Sequence, residues 1–264
     1  MSESLSSWLA LRERVDHASR SLALTRAVVA ALPDERPLRI VDLGSGTGSN
    51  VRYLAPLLPS PQRWLAVDRD AGLLDQSIGT GVSIERSVMD LGDFDPGLLA
   101  GAHLVTASAL LDLVSIRWLH ELASACRAAG AAALFALTYN GHSECTPMEP
   151  EDVRVRELFN AHQRQNDKGF GAAAGPDAVA RTIGAFNSLG YDVCHEPSDW
   201  ILTPEMEALQ RQLIDGWAAA SAEIAPSEAS TIADWRARRQ FHVSAGRSTI
   251  IVGHVDICAT LMHM

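Results

Sequence analysis

Arg39-Ile40-Val41-Asp42-Leu43-Gly44-Ser45-Gly46-Thr47-Gly48-Ser49-Asn50 is the stretch on which the reading of the whole chain turns. It opens as a short apolar strand and breaks into a glycine turn. Val51, Leu54, Ala55 and Leu58 then fall at i, i+3, i+4 and i+7, the spacing of one helix face. Strand, glycine turn and helix, in that order, make the ligand-binding corner of an open α/β sheet. Glycine allows positive φ and puts no side chain between a ligand and the backbone. The loop's N–H groups and the partly positive helix end behind it are then free to meet a polar ligand.

The spacing selects the ligand. A dinucleotide fingerprint, G-x-G-x-x-G, would need glycine where Ser49 stands, and a phosphate-binding loop would need a Gly-Lys pair that does not follow. A tight turn without a ligand shares the same local sequence. The pattern that remains is Asp-x-Gly-x-Gly-x-Gly, with Asp42 near the strand end. It resembles the first motif of the class I S-adenosylmethionine (SAM) methyltransferases. The resemblance implies that Asp42, Gly44, Ser45, Gly46 and Gly48 hold the methionine end of SAM, the carboxylate meeting its ammonium.

Two further acids fit. Trp64-Leu65-Ala66-Val67 reads as a second strand ending on Asp68, 20 residues beyond Gly48. An acid at that tip is placed to accept two ribose hydroxyls, with Arg69 beside it. A third strand, Val82 to Val88, leads to Met89-Asp90-Leu91. By the resemblance, Asp90 takes the adenine amino group and Met89 and Leu91 flank the ring; Asp93 and Asp95 are near enough to share the part. The segment from His103 to Leu111 reads as the fourth strand and its loop, whose end, Ser108 included, faces the transferred methyl group. No Asn-Pro-Pro-Tyr-like motif follows it, which argues against methylation of a base or amide nitrogen.

The rest of the chain continues the alternation. Ile116 to Ala129 reads as a helix capped by Gly130, Ala132 to Leu137 as a fifth strand, Tyr191 to Glu196 as a sixth and Ser248 to Ile257 as the last. Alternating strands and helices predict an α/β, doubly wound, mostly parallel sheet. The resemblance gives it seven strands, the last antiparallel between the fifth and sixth, plus helical cap and lid insertions. The expected organisation is an N-terminal helical cap over 1–34, with one helix over 5–32, and a SAM-binding domain over 35–257. That domain carries a lid insertion at 143–175 and a helical insertion at 204–241, and a tail follows at 258–264. By analogy with relatives whose N-terminal helix covers the cofactor, Arg14 or Arg20 reaches the SAM carboxylate.

Within the lid, residues 160–171 are polar, His-bearing and jointed by glycine, and loops of that length are usually functional or disordered. His162, His142 and Asp167 are the candidate catalytic residues, needed as a general base if the acceptor is a hydroxyl. Tyr139, Asn140, Lys168 and Phe170 are the candidate substrate-binding residues.

Composition narrows the function classes. A net charge of −10 disfavours a broad footprint for nucleic acid or an anionic membrane. The run Arg236-Ala237-Arg238-Arg239 reads as a solvated helix face. The four cysteines, 126, 145, 194 and 258, include no C-x-x-C pair, which reads as buried free thiols in a reducing cytoplasm. No secretory leader pattern opens the chain, and the longest apolar run, 128–138, is too short to span a bilayer. The nine histidines show no metal-ligand spacing. The expectation is SAM-dependent methyl transfer to a small-molecule acceptor, cytoplasmic and without a metal, with 143–175 as the substrate lid and room for a homodimer. An RNA or protein methyltransferase, or a SAM-binding partner subunit without acceptor chemistry, are the alternatives.

Overall fold

The computed structural model describes residues 2–76, 81–165, 167 and 169–261, with side chains from residue 5 onward. Its centre is a sheet of parallel strands β1 (Leu38–Leu43), β2 (Gln62–Asp68), β3 (Ser83–Val88), β4 (Leu104–Ser108), β5 (Ala132–Thr146) and β6 (Tyr191–Pro197). Strand β8 (Thr249–Leu261) runs antiparallel between β5 and β6, so the order is β3-β2-β1-β4-β5-β8-β6. An eighth strand, β7 (Trp200–Leu202), pairs with the first part of β8; three residues bounded by Asp199 and Thr203-Pro204 left no period to read.

Side-chain alternation along the strands builds a core on each face. Val41, Leu43, Val105 and Phe135 meet α5 (Ile116–Ala129) and α7 (Ala178–Ser188) through Trp118, Leu122 and Phe186. On the other face Leu38, Ile40, Leu104 and Leu134 meet α2 (Leu22–Ala31) and α3 (Ser49–Leu54) through Leu24, Val28, Val51 and Leu54. A third cluster lies beyond the strand ends. There the outer halves of β5 and β8 pack against helices α6 (Asp152–Gln165), α8 (Glu207–Ile224) and α9 (Ala229–Ser244), around Leu158, Trp217 and Trp235.

Several expectations need correction. The N-terminal region is two helices, α1 (Ser2–Ser19) and α2, because Ser21 leaves helical geometry and caps α2, its hydroxyl accepting from Leu24 N. Residues 143–146 are strand, not lid, since β5 continues to Thr146 opposite Val252 to Thr249. Residues 258–261 belong to β8, which pairs with β6 as far as Leu261, so they are no tail. The arginine run is not wholly solvated. Arg239 is fully buried and bonds the Asp152 carboxylate, while Arg238 pairs with Glu149 and Glu151. Cys194 is exposed, because it sits on the edge strand.

Candidate functional site

The glycine turn has the geometry its sequence requires. Gly44, Gly46 and Gly48 all have positive φ, at 65°, 53° and 80°. Any side chain at these positions would be strained. A Cβ at Gly46 would also stand 3.2 Å from Leu9 of α1, so the N-terminal helix lies directly over the loop. The Ser45 N–H donates to the Val67 carbonyl, and the Gly46 N–H donates to Asp68 Oδ2 at 2.9 Å. The other Asp68 oxygen accepts from Asp70 N. Each carboxylate oxygen keeps a second acceptor direction for a ligand.

Behind the loop is a buried polar relay. Asp42 is fully buried, and its Oδ1 accepts from Asn50 Nδ2 at 2.6 Å. Asn50 also donates to Thr106 Oγ1, and its own oxygen accepts from Arg20 Nη1 at 2.8 Å. Arg20 stacks on the Tyr53 ring at 4.5 Å, and its Nε lies 3.5 Å from Asp256 without hydrogen-bond geometry. Burial pushes the Asp42 carboxyl up to about 6, opposed by Ser45, Asn50 and Arg20. Four buried atoms here lack hydrogen bonds: Asp42 Oδ2, Ser45 Oγ, Arg20 Nε and Arg20 Nη2. Of the two arginines proposed for a carboxylate, Arg20 is at this site; Arg14 is exposed.

On the β3 side Asp90 is exposed and its Oδ1 accepts from Gly92 N. Met89 is half-buried and donates its N–H to the Asp68 carbonyl. Leu91 is buried in the core, and its carbonyl accepts from Trp118 Nε1 at 2.7 Å. Asp95 caps a separate turn through Gly97 N. Gly169 reaches this corner. A Cβ on Gly92 would overlap the Gly169 carbonyl oxygen, and a Cβ on Gly169 would stand 4.0 Å from Arg69 Nη1 and from both Asp90 oxygens.

The segment that follows α6 is held at two points. Asp167 Oδ1 accepts from Gly169 N and Gly171 N at 2.8 and 2.9 Å, which fixes the turn. Phe170 meets Trp118 edge-on at 5.8 Å and packs, half-buried, against the core. Ala174 N and Gly175 N donate to the carbonyls of Val114 and Asp112 in the loop after β4. His162 Nε2 lies 3.0 Å from Glu223 of α8, and its Nδ1 is buried without a partner. His142 is exposed beside Glu144. Lys168 lies outside the described residues.

Ser108 ends β4. It leads into Ala109 at φ 51°, beside Leu137 at φ 55° on β5; both are non-glycine residues in the left-handed region. Leu137 sits at the register shift of β5 against β8, between Phe135 and Thr138, and its N–H is held by Asp256 Oδ1 at 2.8 Å. Tyr139 follows, buried, its hydroxyl donating to Asn160 Oδ1 of α6. Burial pushes its phenol well above the usual range. Asn140 Oδ1 accepts from His142 N.

Opposite Tyr139 on β8 stands His254, its ring 6.2 Å from Tyr139 and 5.0 Å from Trp200. Burial lowers its pKa to about 3, so the ring is neutral near pH 7. Asn50, His254 and Asp256 were missed in the sequence. The signal for the last two was there: two ionisable residues inside an otherwise apolar strand.

No protein-family model matches the chain, and no curated protein does. Solved structures do. A protein from Anaeromyxobacter dehalogenans described as a candidate type II methyltransferase superposes with a TM-score of 0.52 at 17% identity, over 91% of this chain and 97% of that one. A cyclopropane synthase from Mycobacterium tuberculosis gives 0.47 at 9% identity, over 90% and 84% of the two chains. A Haemonchus contortus phosphoethanolamine N-methyltransferase gives 0.48 at 12% identity, over 97% of this chain and 58% of that one. The likeness is one of fold.

Proposed function

We propose that this chain, which has the fold of the class I SAM-dependent methyltransferases, is such an enzyme. In this reading it binds SAM along the C-terminal ends of β1 to β4 and methylates a small-molecule acceptor held under the lid and cap. One observation carries the cofactor: the orphaned atoms beside the glycine loop include charges of opposite sign, an acid oxygen on Asp42 and two guanidinium nitrogens on Arg20. Buried groups of this kind ordinarily have partners. A zwitterionic amino-acid end supplies both, its ammonium to Asp42 and its carboxylate to Arg20.

Bound SAM supplies a methyl group on a sulfonium, already activated for transfer. The chain's part is to bind, orient and exclude water. The glycine loop and Ser45 lie against the amino-acid end, and Asp68, with Arg69 beside it, takes the ribose hydroxyls. Asp90 takes the adenine amino group, with Met89 and Leu91 as its apolar surroundings. Ser108, Tyr139, Asn140, Phe170 and Lys168 serve the acceptor side, and the lid in 147–175 closes over it. Of the candidate bases, Asp167 is committed to two backbone N–H groups and His142 is exposed. His162 keeps one ring nitrogen without a partner, which favours it as the base for a hydroxyl acceptor.

The test is direct. Calorimetry with SAM is expected to show saturable binding. Methyl-labelled SAM, incubated with the protein and a metabolite extract, is expected to label the low-molecular-weight fraction. No heat of binding would overturn the cofactor assignment. Label confined to RNA or protein would overturn the acceptor class, and tight binding with no labelled product would favour a partner subunit without acceptor chemistry. No helix among the described residues is long and apolar enough to cross a membrane.

A further inference from the structure

Cys194 on edge strand β6 and Cys258 on β8 are directly opposite in the antiparallel register. Opposed residues project to the same face, and here that face is the one covered by α2. Cys258 packs in the cluster with Leu24 and Val28, and the next matched pair toward the cap, Glu196 and Asp256, meets Ser21 through its hydroxyl and its N–H. The two thiols differ in access: Cys194 is exposed, Cys258 is 2% exposed. Burial and the neighbouring Cys194 push the Cys258 thiol up to about 12. Cβ atoms of directly opposed residues lie about 4.5–5.5 Å apart, against about 3.5–4.5 Å in a disulfide. Closing that gap takes roughly 1 Å of movement, at the outer edge of the sheet.

We propose that Cys194 and Cys258 form a cross-strand dithiol, a site of reversible modification by low-molecular-weight disulfides. Cys194, the accessible member, attacks as thiolate and forms a mixed disulfide, releasing one small thiol. The Cys258 sulfur then gives up its proton, attacks Cys194 and expels the second. One protein S–S bond forms and one small-molecule S–S bond breaks. The protein loses two electrons and two protons, and both small thiols carry them away. The residues between the two cysteines include β7, α8 and α9, so the bond ties together the two strands from which the helical cap leaves and returns. Cys126 and Cys145 have no such partner in register and stay reduced.

The experiment is oxidation of the folded full chain with oxidised glutathione, followed by alkylation and peptide mapping without reduction. The expected result is one intramolecular link, 194 to 258, loss of two of the four titratable thiols, and a rise in Tm on the order of 5 °C that dithiothreitol reverses. Cys258→Ala is expected to stop at a stable glutathione adduct on Cys194, and Cys194→Ser to give neither adduct nor link. A lasting glutathione adduct on Cys194 of the unsubstituted protein, a link between two chains through Cys194, or four unmodified thiols would each overturn the proposal. The peptide map of the unsubstituted protein decides this even if a variant fails to fold.

Discussion

Arg20 and Asp42 stand on opposite sides of a single amide: Asn50 accepts from the guanidinium at 2.8 Å and donates to the carboxylate at 2.6 Å. The three residues come from the α1–α2 junction, from the first turn after the glycine loop and from the central strand. One short side chain thus sets the separation of two opposite charges. Asn50→Ala is expected to weaken SAM binding at least tenfold by calorimetry and to cost about 1–3 kcal/mol of stability, because it removes a partner from each buried group. Arg20→Lys keeps the charge but loses the fork; affinity is expected to fall with the fold intact by circular dichroism. Unchanged affinity in both variants would remove the zwitterion site.

The Asp42 carboxyl makes the apo protein pH-dependent in a definite sense. Its folded pKa, about 6, is above the unfolded value, so the native state binds its proton more tightly. The cost of ionising it is absent below about pH 4, appears as pH rises toward 6, and then holds at on the order of 3 kcal/mol. Asp42→Asn is therefore expected to gain stability over the unsubstituted protein between pH 4.5 and 7.5 in urea titrations. SAM affinity should behave oppositely and strengthen as pH rises through 6, because an ammonium needs the carboxylate. A flat affinity profile would argue against Asp42 as the ammonium's partner.

Asp68 ties the glycine loop to the tip of β2 through Gly46 N and Asp70 N. Asp68→Ala is expected to lower SAM affinity by about 10- to 100-fold, the loss of one or two hydrogen bonds to a charged group. Binding of methionine alone, which has no ribose, should change much less. Equal losses for the two ligands would place Asp68 in loop support rather than in ribose binding.

Gly92 has no room for a side chain while the Gly169 carbonyl is where the structure puts it. Gly92→Ala is expected to lift the lid turn. Limited proteolysis should cut faster between residues 165 and 172, and the acceptor KM should rise more than the stability falls. Proteolysis at the original rate would show that the lid accommodates the methyl group without opening.

Arg239 fastens the start of the lid helix to the cap by bonding Asp152, while Trp235 Nε1 donates to the same acid at 2.8 Å. Arg239→Met leaves Asp152 without its cation in a largely buried position. A loss of about 3–5 kcal/mol is expected in denaturant unfolding. A smaller loss in the double variant with Asp152→Asn would show that the stranded charge, not lost packing, sets the cost.

The strand–turn–helix corner, the acid at the tip of β2 and the existence of the first five strands as parallel elements were legible because each is a local pattern: a glycine spacing, a strand end, a period of two or 3.6. The ends of β5 and β8 were not. Residues 143–146 extend β5 by pairing with 249–252 of β8, and residues 258–261 extend β8 by pairing with β6, so what continues each strand is a partner far away in the chain. The candidate bases show the same limit. Histidine and aspartate in a polar stretch named the candidates, and only the fold shows that His162 lies on α6 facing Glu223 while Asp167 holds its own turn.

By itself the sequence determined the fold class and the glycine turn at the end of β1, because those depend on where glycines interrupt an apolar period. Only the tertiary structure decided which charges face each other in the dark behind that loop. Arg20, Asn50 and Asp42 become one relay, and Asp256 comes to hold Leu137, through contacts between segments the chain keeps far apart. The physical reason is burial: it removes water as a partner, and the groups that must then satisfy one another are chosen by packing rather than by spacing.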